Sequence, residues 1–232
     1  LPSDQTIKYL CLECRKNVRF FEFSVCPACD HPTLVGKTHD VCKTPNGLDG
    51  FIAIAQYEEP VSLLIKKVKY RYMSDAVDEI VEIFLDHWPL YAPKFDMLIP
   101  IPMHPKKQNI RGFNQAGKIS ERLGTQLKIE VQTNILKKTQ QTAPQASLKL
   151  KERKMSRNLG FVCMNPEKIR GKIIGLVDDV ATTRTTLQLA GKVLKEAGAK
   201  EVWGVVFAHR FLMEVAPQLS LRHPSGARFA HT

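Results

Sequence analysis

The stretch Lys172-Ile173-Ile174-Gly175-Leu176-Val177-Asp178-Asp179-Val180-Ala181-Thr182-Thr183-Arg184-Thr185-Thr186-Leu187 constrains the fold of this 232-residue chain more than any other. Ile173 to Val177 is a β-like apolar run; two adjacent carboxylates follow, then a hydroxyl-rich turn, then a helical spacing that puts Leu187, Ala190, Val193 and Leu194 on one face. A strand feeding a helix through a polar turn predicts an α/β fold.

The same order predicts chemistry. The first N–H groups of a helix have no intrahelical partner and sit at the positive end of its dipole, so the turn from Thr182 to Thr186 suits a phosphate, with the threonine hydroxyls as further donors. Open α/β sheets place ligands at the carboxyl ends of their strands, where Asp178 and Asp179 could accept from the vicinal hydroxyls of a ribose. A sugar phosphate satisfies both halves. The competing reading makes Asp178 a capping or buried structural acid and the threonines only a turn.

Leu176 to Thr186 resembles the phosphoribosyl pyrophosphate (PRPP) motif of type I phosphoribosyltransferases. The resemblance implies that Asp178 and Asp179 hold the ribose 2′- and 3′-hydroxyls, that Val180, Ala181, Thr182, Thr183, Arg184, Thr185 and Thr186 bind the 5-phosphate, and that Mg²⁺ accompanies PRPP. That family usually has Gly where this chain has Arg184. A β-carbon there costs about 1–2 kcal/mol if φ is positive. Alternatively the arginine adds a cation beside the phosphate.

Five of the six cysteines fall before residue 45: Cys11, Cys14, Cys26, Cys29 and Cys42. Cys11-Leu-Glu-Cys14 and Cys26-Pro-Ala-Cys29 are knuckles that can close a tetrahedral Zn²⁺ site, and so short a segment needs a staple to fold. Cys42 is left over by this count. Disulfides are the alternative, set aside because the chain reads as cytoplasmic: no signal peptide is visible and no apolar run approaches the roughly 18–20 residues of a membrane span.

The formal net charge of +11 is unevenly placed. Between Pro102 and Asn158 stand thirteen Lys and Arg against three acids, so nearly all the excess lies in that window. It suggests a polyanionic ligand, pyrophosphate or a nucleic-acid backbone, against the plainer reading of a solvated surface.

Elsewhere the pattern predicts a strand at Gly50–Ala55, a basic amphipathic helix from Glu59 to Tyr72, and a helix capped at Ser74 whose apolar face runs to Trp88. A buried strand from Asp96 to Pro102 leads into a basic loop, His104 to Ala116, and Glu201–Ala208 is another strand. His104 is a proton-transfer candidate set against a structural role, and Cys163 reads as a small buried residue. Leu136 to Asn158 is polar and weakly periodic and suggests a lid, and the end from Phe211 a loose tail.

Pro100-Ile101-Pro102, the basic loop and Arg111-Gly112-Phe113-Asn114-Gln115 resemble the ComF family, phosphoribosyltransferase-like proteins associated with natural competence. Thr142, Pro144, Gln145, Leu148 and Arg153 match its lid segment. The resemblance implies a zinc ribbon over 1–45, a phosphoribosyltransferase-like domain over 46–210 with a mainly parallel sheet flanked by helices, and a tail over 211–232. By it the basic loop binds pyrophosphate, with Arg111 facing the diphosphate, while Lys107 is either a second contact or solvated. Three functions follow: a PRPP/Mg-binding ComF-type protein serving DNA uptake and contacting single-stranded DNA, an active phosphoribosyltransferase of nucleotide metabolism, or a DNA-binding protein with a vestigial PRPP site.

Overall fold

The computed structural model describes residues 9–68, 75–139 and 160–210. Along the chain come α1 (Leu12–Lys16), β1 (Ser24–Val25), β2 (Pro32–Thr33), β3 (Gly50–Gln56), α2 (Val61–Val68), α3 (Ala76–Asp86), β4 (Met97–Pro100), α4 (Pro105–Arg111) and α5 (Gln115–Leu127). Then follow β5 (Glu130–Val131), β6 (Leu136–Lys138), β7 (Phe161–Cys163), α6 (Pro166–Ile169), β8 (Ile173–Ala181), α7 (Thr185–Glu196) and β9 (Glu201–His209).

Five strands form one sheet in the order β3-β9-β8-β4-β5, and every pairing in it is parallel. A parallel sheet needs both faces covered, and the apolar residues divide accordingly. On one face Trp203, Val205 and Phe207 of β9 meet Leu64, Ile80, Phe84, Ile119 and Leu123 of α2, α3 and α5. On the other, Val202 and Val206 meet Leu187, Ala190, Val193 and Leu194 of α7. The period-2 alternation of β9 thus feeds two cores. The mainly parallel α/β architecture expected from the sequence is present, and no helix among the described residues is long and apolar enough to cross a membrane.

The N-terminal segment wraps the free edge of β3. Phe20 bridges Ala55, Lys37 bridges Gly50, and the Phe21 N–H donates to Ile54 O at 3.1 Å, so the edge is covered rather than left as a template for aggregation. Leu10 and Val18 join the core of α2 and α3, whereas Val25 joins the opposite core. Glu79 of α3, 5% exposed, accepts the N–H groups of Tyr9 at 2.6 Å and Leu10 at 3.2 Å, which accounts for its burial.

Several boundaries move. The helix expected over Glu59–Tyr72 is described only as Val61–Val68, because residues 69–74, including the expected cap Ser74, lie outside the described residues. The next helix starts after Asp75 and stops at Asp86, two residues before Trp88. Within the expected basic loop, Pro105–Arg111 is helical. Pro105 supplies the first turn, where a missing N–H costs nothing, and Gly112 ends it at φ +85 with its N–H on Gln108 O at 2.7 Å. The expected lid springs from an antiparallel ribbon pairing Leu136 with Cys163 and Lys138 with Phe161. Its body, with Thr142, Pro144, Gln145, Leu148 and Arg153, and the tail 211–232 lie outside the described residues.

Trp203 is buried as expected, and it leaves no room at its neighbour: a Cβ on Gly50 would fall inside the indole. Gly50→Ala is therefore expected to lower stability by about 1–3 kcal/mol through overpacking, read from urea unfolding.

Candidate functional site

The chain leaves β4 through α4 and α5 toward β5, but leaves the adjacent β8 through α7 toward β9, in the opposite direction along the sheet. Neighbouring strands with diverging connections open a crevice at their carboxyl ends. A cavity of about 390 Å³ occupies this place, and Asp178, Asp179, Thr186, His104, Arg111, Gln115 and Lys138 all line it.

Each side chain has a local reason to be there. Asp178 and Asp179 are half-buried within β8, which runs to Ala181, and the Asp179 N–H donates to Asp178 Oδ1 at 2.9 Å. Arg111 is the last residue of α4, within 3.5 Å of Gln115 Oε1. Asn114 Nδ2 donates to Ile101 O at 2.9 Å, pinning the start of α5 to the end of β4. Gln115 is 2% exposed and, among the described residues, its Nε2 has no partner. A buried donor left unmade is costly, so one lining a polar cavity marks a place for an acceptor atom of a ligand.

Lys138 enters from the β6–β7 ribbon, its Nζ 5.6 Å from the Phe161 ring centroid. No residue pattern singles it out from the other lysines of the expected lid. A second cavity of about 520 Å³, lined by Phe113, Lys118 and Lys137, shares Pro102, Met103, Asn114 and Lys138 with the first. The side chain of Lys107 lies outside the described residues.

The turn after β8 departs from both expectations for Arg184. Its backbone is left-handed, φ +56, the conformation for which glycine is ordinarily used. Its side chain does not enter the cavity: it is 7% exposed and turns back to pair with Asp30, Nη2 donating to Oδ2 at 2.7 Å and Nη1 to Oδ1. It is therefore no cation beside a phosphate. What remains for an anion are the first backbone N–H groups of α7, which the N-cap residue Arg184 does not cap with its side chain, and the hydroxyls of Thr183 and Thr185, 3.0 Å apart.

The N-terminal thiols are divided differently from the expected set. The ligand atoms of Cys26, Cys29, His39 and Cys42 all lie within 4.8 Å of one another. Cys11 and Cys14 join no such group among the described residues. The reason is the wrap around β3: α1 lies against α3, where Arg15 pairs with Glu82 at 3.0 Å and Asp86 at 3.2 Å, while the second knuckle lies against α7.

Three thiols and an imidazole are a donor set for a tetrahedral metal such as zinc. The geometry agrees: His39 Nε2 faces Pro32 O at 3.0 Å, which assigns it the proton and leaves Nδ1, 3.4 Å from Cys29 Sγ, as the donor. Burial pushes the Cys26 thiol up, but backbone N–H groups of His39, Ala28 and Cys29 outweigh it and hold it at about 7. Cys42 is pushed up to about 11, first by its hydrogen bond to Cys29. His39-Asp-Val-Cys42 repeats the two-residue knuckle spacing with histidine in the first place, the signal that could have revealed it. Cys163 is half-buried rather than buried, and burial pushes its thiol up.

Residues 73–214 match the phosphoribosyl transferase domain. Competence protein F of Haemophilus influenzae is 28% identical over 209 residues, covering 86% of this chain and 90% of that protein. DNA utilization protein YhgH of Shigella flexneri is 25% identical over 222 residues, covering 85% and 96%. Competence protein ComFC of Streptococcus pneumoniae is 28% identical over 198 residues, covering 83% and 84%.

Proposed function

We propose, from the premise that the chain belongs to the phosphoribosyl transferase domain family and within it to the ComF proteins, that it binds PRPP with Mg²⁺ in the crevice between β4 and β8 and serves DNA uptake in the cytoplasm. The observation that carries this reading is convergence: two half-buried acids, an arginine, a lysine, a helix start and a buried amide donor without a partner among the described residues line one cavity.

Roles follow from position. Asp178 and Asp179 accept from the ribose hydroxyls. The start of α7, with Thr182, Thr183, Thr185 and Thr186, holds the 5-phosphate through N–H and hydroxyl donors. Arg111, whose planar fork matches phosphate oxygens, and Lys138 face the diphosphate, and Gln115 Nε2 supplies one more donor. Carboxylate oxygens beside a diphosphate are hard donors that suit Mg²⁺, which when bound neutralises pyrophosphate charge. If phosphoribose is transferred, Arg111 and Lys138 stabilise the leaving group electrostatically. The zinc ribbon is assigned to Cys26, Cys29, His39 and Cys42, and exposed Lys137 and Lys138 extend the cationic rim along which single-stranded DNA could lie.

Calorimetric titration of the zinc-loaded protein with PRPP and Mg²⁺ tests this. Asp178→Asn should weaken binding about 10- to 100-fold, as expected for a lost hydrogen bond to a charged group. An unchanged affinity in that variant, or none in the wild type, would remove PRPP from the crevice. A vestigial site would be favoured by an Arg184 side chain that fills the phosphate loop, and that side chain lies away from the loop's mouth, paired to Asp30.

A further inference from the structure

Asp30 follows Cys29 directly, and Arg184 begins the turn into α7, yet the two meet across 154 positions of sequence in a bidentate pair. The pair is sealed: Asp30 is 6% exposed and Arg184 7%, and the guanidinium lies 5.7 Å from the Phe51 ring centroid. His209, fully buried at the end of β9, closes the group, its Nε2 3.2 Å from Asp30 Oδ1 and its Nδ1 2.7 Å from Ala181 O. A second tie runs alongside, Gln188 Nε2 donating to Pro27 O at 3.2 Å. Arg184 stands at the N-cap of α7 and Gln188 in its first turn, the Gln188 N–H donating to Arg184 O at 2.9 Å, and both grip the same knuckle, residues 26–30.

Two left-handed turns are held against each other by this contact. Arg184 stands at φ +56, unfavourable for a long side chain with a β-carbon, and Asp30 at φ +65, which aspartate tolerates better than most residues. Asp30 is placed by the knuckle itself, its N–H donating to Cys26 O at 3.1 Å. Thr182, Thr183, Thr185 and Thr186 flank Arg184, so whatever holds its backbone also orients the N–H groups at the start of α7.

We propose that Asp30 and Arg184 form a latch through which the metal-binding knuckle holds the anion-binding turn at the start of α7 in its left-handed conformation. Arg184 is a positioning residue: it acts on the ligand through the backbone of its neighbours, not by contact. Metal release loosens the knuckle, Asp30 withdraws, and the turn relaxes. That the anion is a sugar phosphate rests on the function proposed above; the latch does not.

Hydrogen exchange of the full-length protein, followed by mass spectrometry, tests it. Stripping the metal with excess chelator should raise exchange at Thr182 to Leu187 about tenfold, as for a local opening, and should weaken PRPP binding in parallel. Asp30→Asn should do the same with the metal retained, verified by native mass spectrometry. Arg184→Gly accepts a positive φ without strain and removes the latch, so exchange of its turn should no longer respond to the chelator. The proposal is overturned if the wild-type turn ignores both the chelator and Asp30→Asn, or if Arg184→Gly keeps the full response. Absence of PRPP binding in the wild type would count against the sugar-phosphate reading alone, since exchange still decides the latch.

Discussion

Asp30→Ala should lower the stability of the folded protein by about 3–5 kcal/mol, because it leaves the charge of Arg184 buried without its partner. Arg184 has nowhere else to go: its Nε already lacks a partner among the described residues, and its side chain is enclosed by Phe51, His209 and the knuckle. The carboxylate is committed to the pair as well. Burial pushes the Asp30 carboxyl up, but the hydrogen bonds and charge of Arg184 and His209 more than offset this and hold it below the usual range. Urea unfolding of the zinc-loaded protein measures the loss. The double variant Asp30→Ala/Arg184→Gly removes both charges and the unfavourable φ at position 184, though not the positive φ at position 30, so it should recover a large part of the loss, a strongly non-additive cycle. A single-variant cost below about 1 kcal/mol, the range of exposed pairs, would mean that water reaches the guanidinium.

This pair marks where sequence reasoning stops. The run from Ile173 into Leu187 was legible because its information is local: apolar alternation, acids, hydroxyls and helical spacing follow one another. Arg111-Gly112-Phe113-Asn114-Gln115 was legible for the same reason, although the seven-residue helix before it was not, since its apolar content is too low to show a face. Arg184 was recognised as anomalous, but its partner stands in a different module. Single-sequence patterns carry no term for such a contact, so the side chain was assigned to the phosphate or to strain. Its backbone takes the strain, and its side chain turns back to Asp30.

The thiols failed for a related reason. Counting favoured two matching Cys-x-x-Cys knuckles, and spacing alone cannot tell that the chain from Val18 to Val25 crosses the β3 edge between them. Leu10 and Val18 on one face of the sheet and Val25 on the other show the crossing. His39 was passed over because a lone histidine has no pattern, and Cys42 because it had no cysteine partner three positions away. Together they are that partner.

The metal set therefore yields the second large effect. Cys42→Ser or His39→Ala should abolish stoichiometric zinc binding, whereas Cys11→Ser/Cys14→Ser should retain one zinc ion per chain by native mass spectrometry. Zinc bound there, as proposed, would supply much of the folding energy of this segment: structural zinc sites in small modules contribute an apparent 10–16 kcal/mol, roughly. Apart from the ligand Cys26, the buried apolar side chains beside the four ligands are few, Val25, Pro27 and Leu48, while Leu34, Val35 and Val41 stand exposed. Loss of the ion should thus melt the knuckle while β9 and its two cores persist, giving a transition confined to the N-terminal segment and, through Asp30, to the turn at Arg184. Zinc retained by Cys42→Ser and lost by Cys11→Ser/Cys14→Ser would restore the paired-knuckle arrangement. It would also require the β3 edge to be covered differently, because Cys11 and Cys26 could not then stay on opposite sides of it.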